Sequence, residues 1–113
     1  MSGQAAPPPG RLTITSDHDA GEARLTLEGE LDLASSTQVE EQLAGLEAER
    51  PTRIVIDLGG LAFIDSTGLR TLIQADQRAR EAGTEMILRP GDESIQRVFE
   101  LTGALDVLRF EPA

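Results

Sequence analysis

The stretch that decides the fold is FIDSTGLRTLI, which spans Phe63–Ile73. An apolar run ends in Asp-Ser-Thr-Gly, and apolar residues then recur at helical spacing, as at Leu69 and Leu72. Asp65 or Ser66 can cap such a helix, because either side chain can accept a bond from a backbone N–H two or three residues on. The stretch therefore predicts a buried segment followed at once by a helix whose first turn carries hydroxyl groups.

Gly68 is the feature that a simple cap does not explain. A glycine inside a helix lowers its stability by about 1 kcal/mol relative to alanine, and in exchange it allows close approach of another backbone. The start of a helix also carries unpaired N–H groups and about half a positive charge, so a phosphate is tolerated there. Two interpretations stay open at this point: an ordinary cap, or a serine that is modified or contacted by a partner.

The segments before this stretch indicate a hairpin, a helix and a buried strand. RLTITSD and ARLTLEGELDL alternate in polarity, and HDAGE between them is typical of a short hairpin loop, which would contain His18. SSTQVEEQLAGLEAE has a helical stripe with capping-box spacing from Ser35 or from Thr37. RIVIDL is apolar on consecutive positions, as in a strand covered on both faces. Gly59 and Gly60 are expected to turn the chain after it.

The segments after the stretch complete an alternating pattern. The helix is expected to end at Gly83, with an Asp76–Arg80 pair on its outer face. EMILR is a further buried strand, DESIQRVFELTG is a helix capped by Asp92 or Ser94, and VLRF is a last short strand. The resulting order, ββαβαβαβ, predicts an α/β fold: a mainly parallel mixed β-sheet with an N-terminal hairpin and crossover helices.

Length and composition limit the function classes. The chain has 113 residues, enough for one domain, which we place at residues 11–113 after a disordered arm at residues 1–10. The arm lacks the features of a secretory signal, and no apolar run approaches the roughly 20 residues of a membrane span. The formal net charge of −10 argues against nucleic acid and anionic membranes as direct partners. The expected location is therefore cytoplasmic.

Enzymatic chemistry has little support in the residue inventory. The chain has no cysteine, no lysine and a single histidine, His18. Neither a Gly-x-Ser-x-Gly element nor a Gly-rich phosphate loop is present. We expect no metal, no cofactor and no catalytic activity. A small hydrolase that uses Ser66 as its nucleophile remains an alternative.

Three segments carry a resemblance to a known family. GELDLASS (Gly29–Ser36), IVIDLGGLAFIDSTGLRTLI (Ile54–Ile73) and GDESIQRVFELTGALDVLRF (Gly91–Phe110) resemble the STAS domain, and specifically the anti-sigma factor antagonists of bacteria. The resemblance implies the STAS fold and phosphorylation of Ser66 by a partner that is both anti-sigma factor and serine/threonine kinase. It implies that the unphosphorylated form binds this kinase and frees the sigma factor, that phosphorylation blocks binding, and that a phosphoserine phosphatase resets the system.

The resemblance also implies which residues face the partner. They are Asp32, Asp65, Ser66, Thr67, Gly68, Leu69 and Arg70. Thr67 is the rival phosphate acceptor, and Arg70 has the alternative of an ordinary solvated arginine. A second function stays open, in which the domain is a STAS subunit of a transporter or another signalling complex without phosphorylation control.

Overall fold

A mixed four-stranded sheet organises the computed structural model, which describes residues 11–112. The strands are β1 (Leu12–Asp19), β2 (Glu22–Leu31), β3 (Arg53–Ile64) and β4 (Glu85–Arg89), and they lie side by side in that order. The helices are α1 (Ser36–Ala48), α2 (Ser66–Ala82) and α3 (Glu93–Thr102), followed by a 3₁₀ helix at Ala104–Asp106. β1 is antiparallel to β2, and the other two pairs are parallel. The predicted hairpin, crossover helices and mainly parallel sheet are therefore confirmed, and the predicted arm lies outside the described residues.

The hairpin loop is shorter than the sequence pattern suggested. Ala20 and Gly21 have φ angles of 52° and 85°, so both are left-handed, as a two-residue turn between twisted strands requires. His18 consequently lies in β1, paired with Ala23, and its assignment to a loop was wrong. Its Nδ1 atom is 3.3 Å from a carboxylate oxygen of Glu49.

β3 is covered on both faces in its first half, as its consecutive apolar residues predicted. Ile54, Val55 and Ile56 are all buried. The prediction of a turn at Gly59 and Gly60 was wrong, because β3 continues through both residues to Ile64. The pairing with β2 instead shifts register beside them, as in a β-bulge, and a Cβ on Gly60 would lie 2.7 Å from Glu28 Cγ.

The hydrophobic core lies between the sheet and the apolar faces of the helices. Alternate residues of β2 point into it, which follows from the period of two in a strand. The helices contribute residues at i, i+3, i+4 and i+7 spacing. The main core residues of these elements are Ala23, Leu25, Leu27, Leu31, Val39, Leu43, Leu46, Leu69, Leu72, Ala75, Ala79, Ile95 and Phe99.

The helix ends follow their sequence signals with one exception. Asp92 caps α3 by accepting from Ile95 N at 3.0 Å, and this bond, with help from the Ser94 hydroxyl, lowers the pKa of the Asp92 carboxyl. Gly83 and Gly103 are left-handed residues that end α2 and α3. No side chain caps α1, so the predicted capping box there is wrong.

Two further details differ from expectation, one in the last segment of the chain and one in α2. The predicted strand VLRF is reduced to one parallel bridge between Leu88 and Phe110, because the chain first forms a 3₁₀ helix and then packs the Phe110 ring edge-on against Phe99 at 5.1 Å. Asp76 is only 4% exposed, so its pair with Arg80 is at the margin of the core rather than on the outer face. Among the described residues, no helix is long and apolar enough to cross a bilayer.

Candidate functional site

The parallel pairing of β2 and β3 brings two sequence-distant segments to one edge of the sheet. Leu31 and Ile64 are partners at the carboxyl ends of these strands. Asp32 follows the first strand and Asp65 follows the second, and Asp65 N donates to Leu31 O at 3.1 Å. The β2–α1 turn and the start of α2 therefore form one continuous surface, here called the α2 edge (residues 32–35 and 65–70). Carboxyl ends of parallel strands are the usual place for function in α/β folds.

Asp65 caps α2 and holds the neighbouring turn as well. Its Oδ1 atom accepts from Gly68 N at 2.9 Å, which satisfies one of the unpaired donors at the helix start. Its Oδ2 atom accepts from Leu33 N at 3.2 Å, on the turn after β2. The sequence left open whether Asp65 or Ser66 caps α2. In the structure the cap is Asp65, and the Ser66 side chain takes no part in capping.

Ser66 is the first residue of α2 and its side chain is exposed. Within residues 11–112 its hydroxyl makes no hydrogen bond. The backbone N–H groups of Ser66 and Thr67 lie in the first turn of α2, where the helix supplies no acceptor for them. Thr67 is half-buried. The arrangement offers a free nucleophilic hydroxyl beside open amide donors, which suits a phosphate added at residue 66.

Gly68 and Leu69 anchor the helix start rather than present side chains. A Cβ on Gly68 would lie 2.7 Å from both the Cγ and the carbonyl oxygen of Leu31, so α2 can approach β2 this closely only with glycine here. Leu69 is 7% exposed and packs into the core. Two of the residues expected to face a partner thus contribute through the position of the backbone.

Asp32 is fixed by Ser35, which the sequence analysis considered only as a cap of α1. Ser35 is 1% exposed; its hydroxyl lies 2.8 Å from Glu30 O and 3.0 Å from Asp32 Oδ1, and it accepts from Asp32 N at 2.9 Å. Ser36 adds a bond from its hydroxyl to Asp32 O. These bonds constrain the conformation of the β2–α1 turn.

Two large apolar side chains on the segments that lead into the α2 edge are exposed. Leu33 is 73% exposed on the β2–α1 turn, and Phe63 is 47% exposed near the end of β3. Neither was selected from the sequence, because Leu33 continues the alternation of Leu25, Leu27 and Leu31 and so reads as a core residue. The strand ends at Leu31, and the turn then directs Leu33 outward.

Arg70 lies one turn after Ser66, on the same face of α2. Its side chain is exposed and makes no ion pair within the described range 11–112. The guanidinium is therefore available either to solvent or to an anion at residue 66.

The histidine required for a serine hydrolase is at the wrong end of the sheet. His18 pairs with Ala23, which pairs with Ile54, whereas Ser66 follows the Leu31–Ile64 pair. Ala23 and Leu31 are 31 − 23 = 8 residues apart on β2, which is about 26 Å of strand. Because the chain has no second histidine, a Ser66–His pair cannot form within it.

Comparison with known proteins gives the family to which the chain is similar. A sequence model of the STAS domain matches residues 13–113. BtrV of Bordetella bronchiseptica, named as a candidate anti-sigma factor antagonist, is 30% identical over 96 residues, covering 85% of this chain and 83% of that protein. The anti-sigma-F factor antagonist RsfB of Mycobacterium tuberculosis is 37% identical over 71 residues, covering 62% of this chain and 57% of RsfB.

Solved structures share the fold at lower sequence identity. An anti-sigma factor antagonist from Mycobacterium paratuberculosis superposes with a TM-score of 0.83 at 23% identity, over 93% of this chain and 89% of that one. The Bacillus cell fate determinant SpoIIAA in its phosphorylated form superposes with a TM-score of 0.68 at 18% identity, over 88% of this chain and 92% of that one.

Proposed function

The chain belongs to the STAS domain family, and from that premise we propose that it is an anti-sigma factor antagonist switched by a phosphate on Ser66. Its unphosphorylated form binds an anti-sigma factor that is also a serine/threonine kinase, and the sigma factor is released. Phosphorylation of Ser66 ends that binding, and a phosphoserine phosphatase restores it. The domain, residues 11–113, acts in the cytoplasm as a binding protein rather than as an enzyme.

The observation that carries this proposal is the free hydroxyl of Ser66 on the α2 edge. The cap is supplied by Asp65, so the Ser66 side chain has no structural task within the described residues. Leu33, whose backbone N–H is bonded to Asp65, exposes an apolar side chain on the α2 edge, and Phe63 exposes another near the end of β3. Both offer apolar area to a docked partner. RsfB and BtrV, whose names assign them to the same role, support the proposal.

The domain itself tolerates a phosphate at this position. The modification adds about −1.5 to −2 charge at pH 7. Interaction of that charge with the start of a helix is favourable by about 0.3 to 2 kcal/mol. The unpaired amides of Ser66 and Thr67 lie on the first turn of α2, and the exposed Arg70 lies one turn later on the same face as Ser66. The fold is therefore expected to persist after phosphorylation.

The docked complex does not tolerate it. A partner surface matched to a neutral hydroxyl would bury an unmatched charge, at a penalty of about 3 to 5 kcal/mol. Converting a complex from mostly bound to mostly free requires about 5.5 kcal/mol. The interface penalty is close to that requirement and outweighs the effect on the helix. The switch consequently acts by obstructing the docking surface and not by refolding the domain.

The phosphate acceptor provides the first prediction. After incubation with the cognate kinase and ATP, phosphopeptide mass spectrometry is expected to locate one phosphate on Ser66, because its hydroxyl is exposed whereas that of Thr67 is half-buried. Ser66→Ala should abolish incorporation, and Thr67→Val should retain it. Phosphate on Thr67 in the unmodified chain would contradict the assignment.

Partner identity tests the function itself. Ser66→Ala, which cannot be phosphorylated at residue 66, serves as bait in a pull-down from the native host. The expected partner is an ATP-binding anti-sigma factor with serine kinase activity, identified by mass spectrometry and confirmed by binding of the purified protein. Recovery of a transporter ATPase in its place would contradict the proposal and favour a transporter-associated STAS subunit.

A further inference from the structure

Both carboxylate oxygens of Asp65 accept a hydrogen bond from a backbone N–H group within the domain. Oδ1 accepts from Gly68 N at 2.9 Å and Oδ2 accepts from Leu33 N at 3.2 Å, and the side chain is half-buried. The first bond belongs to the helix cap. The second bond joins two segments that are 32 residues apart in sequence. It is not needed to cap the helix.

The second bond fixes the most exposed large apolar residue of the α2 edge. Leu33 is 73% exposed and lies between Asp32, which is tied to Ser35, and the first turn of α1. Within residues 11–112, the only hydrogen bond from Leu33 N is the one to Asp65. Without this bond, the Leu33 backbone would be held less firmly to the start of α2. The Leu33 side chain would then move more freely relative to Ser66.

We propose that Asp65 is a positioning residue: through its bond to Leu33 N it holds the Leu33 side chain beside Ser66 as an apolar contact for the anti-sigma factor kinase. This inference rests on the proposed function. The kinase surface that fits the α2 edge has an apolar hollow for Leu33, and positive charge around it complements a chain of net charge −10. Fixing the Leu33 backbone before binding reduces the entropy lost on docking.

Asp65→Asn separates the two bonds of the carboxylate. Asparagine is as good a cap as aspartate, so its amide oxygen can still accept from Gly68 N. Its NH₂ group is a donor and cannot accept from Leu33 N. Hydrogen exchange followed by NMR should therefore show lost protection of the Leu33 amide and retained protection of the Gly68 amide, with little change in thermal unfolding.

A double-mutant cycle connects this bond to binding. The binding partner is the purified anti-sigma factor recovered with the Ser66→Ala bait, and calorimetry measures its affinity for each variant. The same protein, supplied with ATP, is the kinase in the phosphorylation assays. Leu33→Ala and Asp65→Asn should each weaken binding about tenfold, the scale of a contact at an interface centre. The double variant should also lose about tenfold, because Asp65 acts through Leu33. Each single variant should raise KM for phosphorylation with kcat little changed.

Leu101 provides a matched control. It is the same residue type, 77% exposed, but lies on α3 outside the α2 edge. Leu101→Ala should leave the affinity for the anti-sigma factor unchanged. The Leu101→Ala, Asp65→Asn double variant should therefore lose only the affinity that Asp65→Asn loses alone.

The possible failures are distinguishable. An unmodified chain that binds no anti-sigma factor would overturn both proposals. If the unmodified chain binds and the Asp65–Leu33 double variant loses about a hundredfold, the two residues act independently, and the positioning role alone is overturned. Retained protection of the Leu33 amide in Asp65→Asn would also overturn it.

Discussion

Ser66→Asp is expected to weaken binding to the anti-sigma factor kinase by about 10²- to 4 × 10³-fold, whereas Ser66→Ala binds like the unmodified chain. The aspartate places a negative charge where the docked complex has only a hydroxyl. A buried, unpaired charge costs about 3 to 5 kcal/mol, and each 1.4 kcal/mol is a factor of ten in affinity. The alanine removes a hydroxyl that makes no hydrogen bond within the described residues, so the free domain is unaffected.

Ser66→Asn is the control that separates charge from size. Asparagine has the shape of aspartate without its charge, and it should bind far more tightly than Ser66→Asp. Calorimetric titration with the purified kinase measures all three variants, and circular dichroism confirms that they are folded. Equal affinities for the alanine and aspartate variants would remove the phosphate switch from the account.

Gly68→Ala is expected to lower the free energy of unfolding by about 1 to 2 kcal/mol, although alanine is the better helix former. A Cβ at this position would lie 2.7 Å from Leu31 Cγ and from Leu31 O, and the second of these is sheet backbone that cannot rotate away. Overpacking of this kind costs about 1 to 3 kcal/mol, more than the gain in helix propensity. Because α2 would be displaced from β2, binding of the kinase should weaken as well.

A glycine-to-alanine substitution on α1 should instead raise the free energy of unfolding. Gly45 has no atom within 4 Å of a Cβ built on it, so Gly45→Ala should stabilise the domain by about 0.5 to 1 kcal/mol. Urea unfolding of both variants under one condition makes the comparison. A stabilised Gly68→Ala variant would show that the close approach of α2 to β2 is not required.

The architecture was predictable wherever one periodicity dominated. The alternation in β2, the consecutive apolar residues Ile54 to Ile56, and the helical stripes of α1, α2 and α3 each predicted the observed element. The glycines at 83 and 103 ended their helices as expected, because the left-handed conformation there is open to glycine at little cost.

The departures arose where tertiary contacts outweighed a local signal. Gly59 and Gly60 read as a turn, but pairing with β2 keeps them in a bulged strand. VLRF read as a strand, but the 3₁₀ helix before it leaves room for a single bridge to Leu88. Ser35 read as a helix cap, but its hydroxyl is engaged with Glu30 and Asp32.

The candidate site, too, was only partly predictable from the sequence. Asp65, Ser66 and Gly68 stood out from the sequence because their residue types have a physical role at a helix start. The wider partner-facing set rests on the resemblance to the STAS family. Leu33 did not stand out, because only the end of β2 decides that it points outward, and no local pattern marks that end. The bond from Leu33 to Asp65 depends on parallel pairing of β2 and β3, which no local sequence pattern specifies.

The most direct test of the obstruction mechanism uses the modified protein itself. The chain, phosphorylated on Ser66 and verified by mass spectrometry, is titrated with the purified kinase, and its amide NMR spectrum is compared with that of the unmodified chain. We predict an affinity loss of at least about 10²-fold, with chemical-shift changes confined to the start of α2 and the β2–α1 turn. Unchanged affinity, or shift changes throughout the sheet, would contradict it.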